Sequence, residues 1–371
     1  MRTHGQRTAL IMAGGTGGHI FPGLAVANAL RDAGWRVHWL GGRGTPGSPS
    51  MESSLVPAQG FPLENIDFSG VRGKGMMTIL AVPFRLLRAC WQSVAVLRKV
   101  QPDVVAGMGG YITLPAGLVS IFMRKPLIVH EQNSVAGMAN RILARFAQKV
   151  YTAFPSAFMK GSGVSHWVGN PLRAAFVGQR EPVARYADRH GPLRLLVLGG
   201  SLGAKALNEI VPQALALMPT QSRPMVIHQS GQKHIAELQA NYAAAGVQAE
   251  LKPFIENVAQ ALADADLVIC RAGASTVTEI AAIGVAAVFV PLPSAVDDHQ
   301  SGNAKFLVDQ GGGWIVPQQK LTPDRLARML QKADRATLSV AAAAARGMAK
   351  FGATERIVSA FAELSQVQGK S

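Results

Sequence analysis

Two doubly wound α/β domains, each built on a parallel sheet, are the architecture this sequence predicts, and three observations lead there. Short apolar runs alternate with helix-period segments along the whole chain, the pattern of parallel strands covered on both faces. A glycine-rich turn joins strand to helix near the start of each half. The chain's 371 residues suffice for two domains of roughly 100–200 residues each.

In the first half, the apolar runs predict strands over Ala9–Ala13, Arg36–Leu40, Val104–Gly107, Leu127–His130 and Val150–Ala153. Helix-period segments between them predict helices over Pro22–Ala33, Met76–Val100, Pro115–Met123 and Ala136–Gln148. The Asn170-Pro171 pair marks a turn, and the linker is placed at Gly169-Asn170-Pro171. The scheme then repeats. Strands are expected over Leu195–Leu198, Met225–His228, Leu267–Cys270, Ala287–Pro291 and Trp314–Val316. Helices are expected over Ala204–Leu217, His234–Ala245, Val258–Ala263, Thr276–Ile283, Ser301–Gln310 and Pro323–Ala333. The expected domains are residues 1–170 and 171–345, with a C-terminal helix over 346–371 packing back on the first.

Apolar residues make up 48% of the chain and charged residues 16%, which argues for large cores and against disorder. Cys90 and Cys270 cannot make a disulfide framework and read as reduced, buried thiols. No signal peptide is evident before the first glycine turn. The uncharged stretch Ile280–Val296 contains Gly284, Pro291 and Pro293, so it reads as a helix end, a turn and a strand rather than a membrane span. The net charge of +15 fits nucleic acid, an anionic membrane or phosphorylated substrates. With 6% aromatic residues and no zinc-finger spacing, nucleic acid is disfavoured.

Ligands of such folds sit beyond the carboxyl ends of the strands, where both glycine turns and most of the polar motifs fall. Gly14-Gly15-Thr16-Gly17-Gly18-His19 aims unpaired N–H groups and a positive helix end at one point, a site for phosphate or diphosphate. It matches a dinucleotide fingerprint only loosely, lacking the third glycine and a following acidic residue, although Arg43 would suit an NADP phosphate. The helix end disfavours imidazolium, so His19 reads as a neutral ring able to accept a proton or as a packing residue. Gly199-Gly200-Ser201-Leu202-Gly203-Ala204 offers backbone N–H groups and the Ser201 hydroxyl to a nucleotide diphosphate, unless Ser201 simply caps the helix. In the run from Cys270 to Glu279, Glu279 suits two ribose hydroxyls or a capping box with Thr276. Asp297-Asp298-His299-Gln300 suits sugar hydroxyls or decorates a helix start, while Asp264-Ala265-Asp266 reads as turn chemistry on the opposite edge. Gly109-Gly110-Tyr111 and His130-Glu131-Gln132-Asn133 end successive first-half strands and converge on the first turn. Between Val71 and Val100, basic residues including Arg85 and Arg88 interleave with Met76, Met77, Ile79, Leu80 and Phe84, a basic amphipathic segment suited to a membrane surface or to ordinary core packing.

Together these motifs resemble the MurG family of lipid-linked N-acetylglucosaminyltransferases, in glycosyltransferase family 28. The resemblance rests on residues 14–19, FSGVRGKG at 68–75, GMGGY at 107–111, HEQN at 130–133, GNPLR at 169–173, residues 199–204, CRAGASTVTE at 270–279, DDHQ at 297–300 and ATER at 353–356, all in order. It implies a GT-B fold and inverting transfer of N-acetylglucosamine from its UDP donor to the 4-hydroxyl of the muramoyl sugar of lipid I, giving lipid II. No metal or redox cofactor is implied. The second half would bind the donor, with Ala274, Ser275, Thr276, Val277 and Thr278 among the donor-binding residues, Ser201 and its turn at the diphosphate, Ile255 at uracil, Arg173 at the nucleotide region, Glu279 at ribose, and His299 and Gln300 at the sugar. Thr16, Gly17, Gly18 and Asn133 would reach toward donor sugar and acceptor. Gly14, Gly15, Gly109, Gly110 and Tyr111 would receive the lipid diphosphate, and the segment near 76–86, with Arg88, would touch the cytoplasmic face of the inner membrane. His19 is the expected base, with Glu131 second. A UDP-N-acetylglucosamine 2-epimerase of the same fold and a non-catalytic UDP-binding protein are the competing readings.

Overall fold

The computed structural model describes residues 6–45, 48–68, 81–158, 165–200 and 202–368. It divides into two compact units, residues 1–173 with 351–371, and residues 174–350.

Unit 1 runs β1 (Thr8–Met12), α1 (Gly17–Asp32), β2 (Arg36–Gly42), β3 (Gly44–Thr45), β4 (Ser48–Pro49), α2 (Met51–Ala58), β5 (Leu63–Ile66), α3 (Val82–Val100), β6 (Val104–Gly107), α4 (Thr113–Phe122), β7 (Leu127–Glu131), α5 (Met138–Leu143), β8 (Lys149–Thr152) and β9 (His166–Trp167). Its main sheet has the order β5-β2-β1-β6-β7-β8-β9 and is parallel throughout; β3 and β4 form a separate antiparallel pair. β1 is central, with Leu10 between His38 of β2 and Val105 of β6. Its side chains alternate between two cores. Ala9 and Ile11 join Ile20, Leu24 and Leu30 of α1, whereas Leu10 and Met12 join Ala89 and Val96 of α3 and Val119 of α4. Burial on both faces explains why the strand is apolar from Ala9 to Met12.

Unit 2 runs α6 (Pro182–Ala187), β10 (Arg194–Leu198), α7 (Lys205–Ala216), β11 (Met225–Gln229), α8 (Ile235–Ala245), β12 (Glu250–Lys252), α9 (Val258–Asp264), β13 (Leu267–Cys270), α10 (Ala274–Ile283), β14 (Ala286–Phe289), α11 (His299–Val308), β15 (Gly313–Ile315), α12 (Pro323–Gln331) and α13 (Arg335–Gly347). The sheet order is β12-β11-β10-β13-β14-β15, again all parallel. The last helix, α14 (Ala353–Gln368), belongs to unit 1 and sets Phe361 edge-on against Trp35 at 5.6 Å between ring centroids.

Several boundaries differ from expectation. α1 begins at Gly17, not Pro22, so that proline lies inside the helix. The helix expected over Ala136–Gln148 is confined to Met138–Leu143, and within the described part of Met76–Val100 the helix runs Val82–Val100. β5, β12, α2 and α6 carry too little periodicity to stand out. Among the described residues, no helix is long and apolar enough to cross a membrane.

Candidate active site

In unit 1 the carboxyl ends of β2, β1, β6 and β7 lie side by side, because the strands are parallel and adjacent. Gly14, Gly15 and Thr16 form the turn after β1. Gly17, Gly18 and His19 form the first turn of α1, with Thr16 at its N-cap. Two features hold this turn. Trp39 Nε1 donates to the Ala13 carbonyl at 2.9 Å, and Gly15 (φ 94°) adopts a left-handed backbone that favours glycine. The Gly109-Gly110-Tyr111 turn after β6 lies directly on it. A Cβ on Gly110 would collide with the Gly14 carbonyl, so the two turns interlock only because position 110 is glycine. Burial pushes the Tyr111 hydroxyl up from its ordinary pKa, and the charge of Glu52 adds to the shift.

Glu52, at the start of α2, was not singled out in the sequence. It is fully buried beneath the turn, accepting from Gly42 N at 3.0 Å and Gly15 N at 3.4 Å. The Gly/Pro/Ser-rich composition of residues 41–52 masks it. Glu131 is likewise buried. Its Oε1 accepts from Asn133 N at 2.9 Å, and its Oε2 accepts from Gly137 N at 3.1 Å and Asn140 Nδ2 at 2.8 Å. That carboxylate holds together the loop leaving β7.

His19 Nδ1 lies 2.9 Å from Gln132 Oε1. Gln132 Nε2 lies 3.0 Å from His130 Nδ1, and His130 Nε2 lies 2.9 Å from the Gly169 carbonyl. Burial lowers the His130 pKa from 6.5 to about 4, with the Gly169 hydrogen bond opposing and His19 adding to the fall. His130 is therefore a neutral ring at neutral pH. Arg173, which ends the first segment of unit 1, places its guanidinium 5.1 Å over the Phe21 ring.

Unit 2 brings a second set to the adjacent ends of β11, β10, β13 and β14. Ser201 lies outside the described residues. The rest of its turn is clasped by Gln229, whose Oε1 accepts from Gly200 N at 3.2 Å while its Nε2 donates to Gly200 O at 3.0 Å and Pro253 O at 3.3 Å. Behind it, His228 lies 3.1 Å from Asn208 Oδ1 and 3.0 Å from the Tyr242 hydroxyl, and Asn208 Nδ2 donates to Ser230 O at 3.2 Å. Burial lowers the His228 pKa to about 3 and raises that of Tyr242. Ile255 is buried in the loop after β12. Ala274 to Glu279 occupy the start of α10, whose N-cap is Gly273, so Thr276 lies inside the first turn and does not cap in a Thr276–Glu279 box. His299 and Gln300 open α11; Gln300 Oε1 accepts from Ala272 N at 3.2 Å and Leu292 N at 2.9 Å. Asp266 lies before β13, at the opposite edge, where it pairs with Arg189 at 2.7 Å and Arg335 at 3.0 Å.

Helix α3 has two apolar faces. Ala89, Ser93, Val96, Leu97 and Val100 are buried, while Phe84 (76% exposed), Leu87 (67%) and Trp91 (75%) point to solvent beside Arg85 and Arg88. Arg88 reaches Asp67 at 3.1 Å. Met76, Met77, Ile79 and Leu80 lie outside the described residues. Among the described residues, no group of three or more His, Cys, Asp or Glu could hold a metal ion.

Two parallel-sheet units with glycine turns at helix starts define a two-domain protein of the GT-B class. Residues 9–152 match the glycosyltransferase family 28 N-terminal domain and residues 194–357 its C-terminal domain. The chain belongs to glycosyltransferase family 28. It is 67% identical, over 98% of its length and 92% of the relative's, to the UDP-N-acetylglucosamine–N-acetylmuramyl-(pentapeptide) pyrophosphoryl-undecaprenol N-acetylglucosamine transferase of Albidiferax ferrireducens. A relative of the same name from Polaromonas sp. is 65% identical over 98% of this chain and 92% of its own. The crystal structure of Acinetobacter baumannii MurG superposes with a TM-score of 0.81 at 40% identity, covering 96% of this chain and 99% of that one.

Proposed function

We propose that this protein transfers N-acetylglucosamine from UDP-N-acetylglucosamine to the 4-hydroxyl of the muramoyl sugar of lipid I, making lipid II for peptidoglycan with inversion to a β-1,4 link. The observation that carries the reading is the 67% identity, along nearly the whole chain, with a relative named for that transfer. Unit 2 takes the donor and unit 1 the acceptor lipid.

Inverting transfer needs a base on the acceptor hydroxyl and stabilisation of the departing diphosphate, through a transition state of oxocarbenium character as in glycoside hydrolysis. His19 is the base. Glu131 is the poorer candidate because both its oxygens already accept hydrogen bonds from the loop it organises. The N–H groups of the 199–204 turn and of the α10 start, at Ala274, Ser275 and Thr276, stabilise the leaving UDP as fixed dipoles. Glu279 takes the ribose, Ile255 the uracil, Arg173 the nucleotide region, and His299 and Gln300 the sugar. Gly14, Gly15 and Gly109 to Tyr111 receive the lipid diphosphate, and Thr16, Gly17, Gly18 and Asn133 the reacting sugars.

The protein works as a peripheral protein on the cytoplasmic face of the inner membrane. Phe84, Leu87 and Trp91 form an apolar face with no partner within the described residues and with cations beside it, which suits an anionic bilayer. Changing all three to Ser is expected to abolish co-sedimentation with anionic liposomes while leaving UDP binding intact; unchanged co-sedimentation removes α3 as the anchor.

The deciding assay is transfer of labelled N-acetylglucosamine to a short-chain lipid I analogue in the presence of chelator. Acceptor-dependent product is expected. Consumption of donor without acceptor would instead point to an epimerase or hydrolase, and UDP binding without turnover to a binding protein.

A further inference from the structure

We propose that Gly169, His130 and Gln132 form a hydrogen-bond relay that dictates which ring nitrogen of His19 carries the proton, so that His19 meets the acceptor hydroxyl with an unprotonated Nε2. The proposal rests on the reading of His19 as the base and names the residues that prepare it.

The relay has only one consistent polarity. The Gly169 carbonyl can only accept, so His130 Nε2, 2.9 Å away, carries a hydrogen. His130 is fully buried and its pKa is lowered to about 4, so it holds a single proton and its Nδ1 accepts. Gln132 must then present its NH2 to His130 Nδ1, at 3.0 Å, and its carbonyl oxygen to His19. That oxygen also only accepts, so His19 Nδ1, at 2.9 Å, is the donor. In the neutral His19 ring this leaves the lone pair on Nε2. A reversed amide would set its NH2 against His19 Nδ1 and its oxygen against the His130 lone pair, placing the hydrogen on the wrong nitrogen of His19. Gln132 is buried, so water does not compete for the amide.

Gly109 adds a second, independent constraint. A Cβ at this position (φ +94°) would stand 2.5 Å from His19 Nδ1 and 2.9 Å from Gln132 Oε1. The hydrogen bond is therefore made flush against a backbone that has no room for a side chain. In the reaction, the acceptor O–H proton passes to Nε2, and the oxygen pair forms the bond to the anomeric carbon. The bond from that carbon to the diphosphate oxygen breaks, and UDP leaves with its electrons. The resulting imidazolium keeps its Nδ1–H on Gln132. Gln132 and His130 are thus positioning residues that act through His19.

The test is nitrogen-15 NMR of the His19 ring in the full chain, assigned against His19→Ala, together with transfer kinetics against pH. The wild-type ring is expected as the Nδ1–H tautomer. Gln132→Leu is expected to lose that signature and to lower kcat on the order of 10²-fold, with UDP binding and melting temperature showing a folded protein. Gln132→Glu offers an oxygen to His19 Nδ1 in either protonation state. It is expected to retain the Nδ1–H tautomer, to recover most of the lost kcat, and to move the acidic limb of the rate profile upward where its carboxylate is ionised. A wild-type ring protonated on Nε2 overturns the relay. So does a folded Gln132→Leu protein that keeps both the Nδ1–H signature and wild-type kcat. If Gln132→Leu does not fold, the wild-type ring spectrum alone decides. Near-normal turnover by His19→Ala with a wild-type Nδ1–H ring upholds the relay and overturns only the assignment of His19 as base.

Discussion

Each unit carries a buried, neutral histidine one strand away from a glycine turn, and the two histidines lead to different ends. In unit 1, His130 hands its polarity through the Gln132 amide to a side chain, His19. In unit 2, His228 hands its polarity through the Asn208 amide to the Ser230 carbonyl, beside Gly203 of the turn. The first chain ends on a titratable ring and the second on main chain. On the function proposed above, the difference separates two tasks within one fold. A site that must move a proton needs a ring with an assigned tautomer, whereas a site that binds diphosphate needs backbone N–H groups held in place.

The largest break in this comparison comes from His19→Ala. Because general bases typically contribute about 10²–10⁴-fold, kcat is expected to fall by that order while UDP binding, the task proposed for unit 2, holds. Steady-state transfer and UDP titration calorimetry separate the two. Equal losses in turnover and UDP affinity would mean that the two sites do not divide the work as described.

Acid sharpens the comparison through the two buried histidines. Burial depresses both folded pKa values, to about 4 for His130 and about 3 for His228, against 6.5 for a free ring. Between pH 6.5 and those values the unfolded chain takes up protons that the folded chain refuses, so stability falls as pH falls. The loss amounts to roughly 3 kcal/mol from His130 by pH 4, and His228 goes on losing to about pH 3. Asp266 acts lower down. Burial pushes its carboxyl up, but hydrogen bonds from Arg194 N, Arg335 and Arg189 outweigh that and leave it lowered. Its stabilisation is lost only below the ordinary aspartate range. Urea unfolding from pH 8 to 3 should show a decline that begins near pH 6.5, and a flat profile down to pH 4.5 would mean that neither histidine is held neutral.

Strands and turns of both units are legible in the sequence because parallel strands buried on both faces are apolar without interruption, as at Ala9 to Met12 and Leu195 to Leu198. The start of α1 is not legible in the same way. Gly17 and Gly18 have weak helix propensity and Pro22 mimics a first-turn residue, yet the helix begins at Gly17. At the site, the glycine turns and His19 stand out because their residue types are unusual where they occur. Glu52 and Gln229 do not, and Gln132 stands out only as one member of the run His130 to Asn133. Their importance lies in what they touch, at separations of up to 113 residues for His19 and Gln132, and no local pattern encodes such a pair.

The smallest effect tests the unit 2 half of the comparison. Gln229 grips the Gly200 peptide from both sides, accepting from its N–H and donating to its carbonyl. Gly200 has φ 83° and nothing within 4 Å of where a Cβ would stand, so little else braces it on that side. Gln229→Leu keeps the apolar bulk and removes both bonds, together with the one to Pro253 O. A lost hydrogen bond is worth about 1–1.5 kcal/mol, so UDP affinity and donor KM should weaken roughly tenfold. Because the clasp orders a turn proposed to bind the donor and touches no proton in flight, kcat at saturating donor and its pH profile should hold. A fall in kcat at unchanged donor KM would place Gln229 with the reacting atoms and erase the distinction between the two edges.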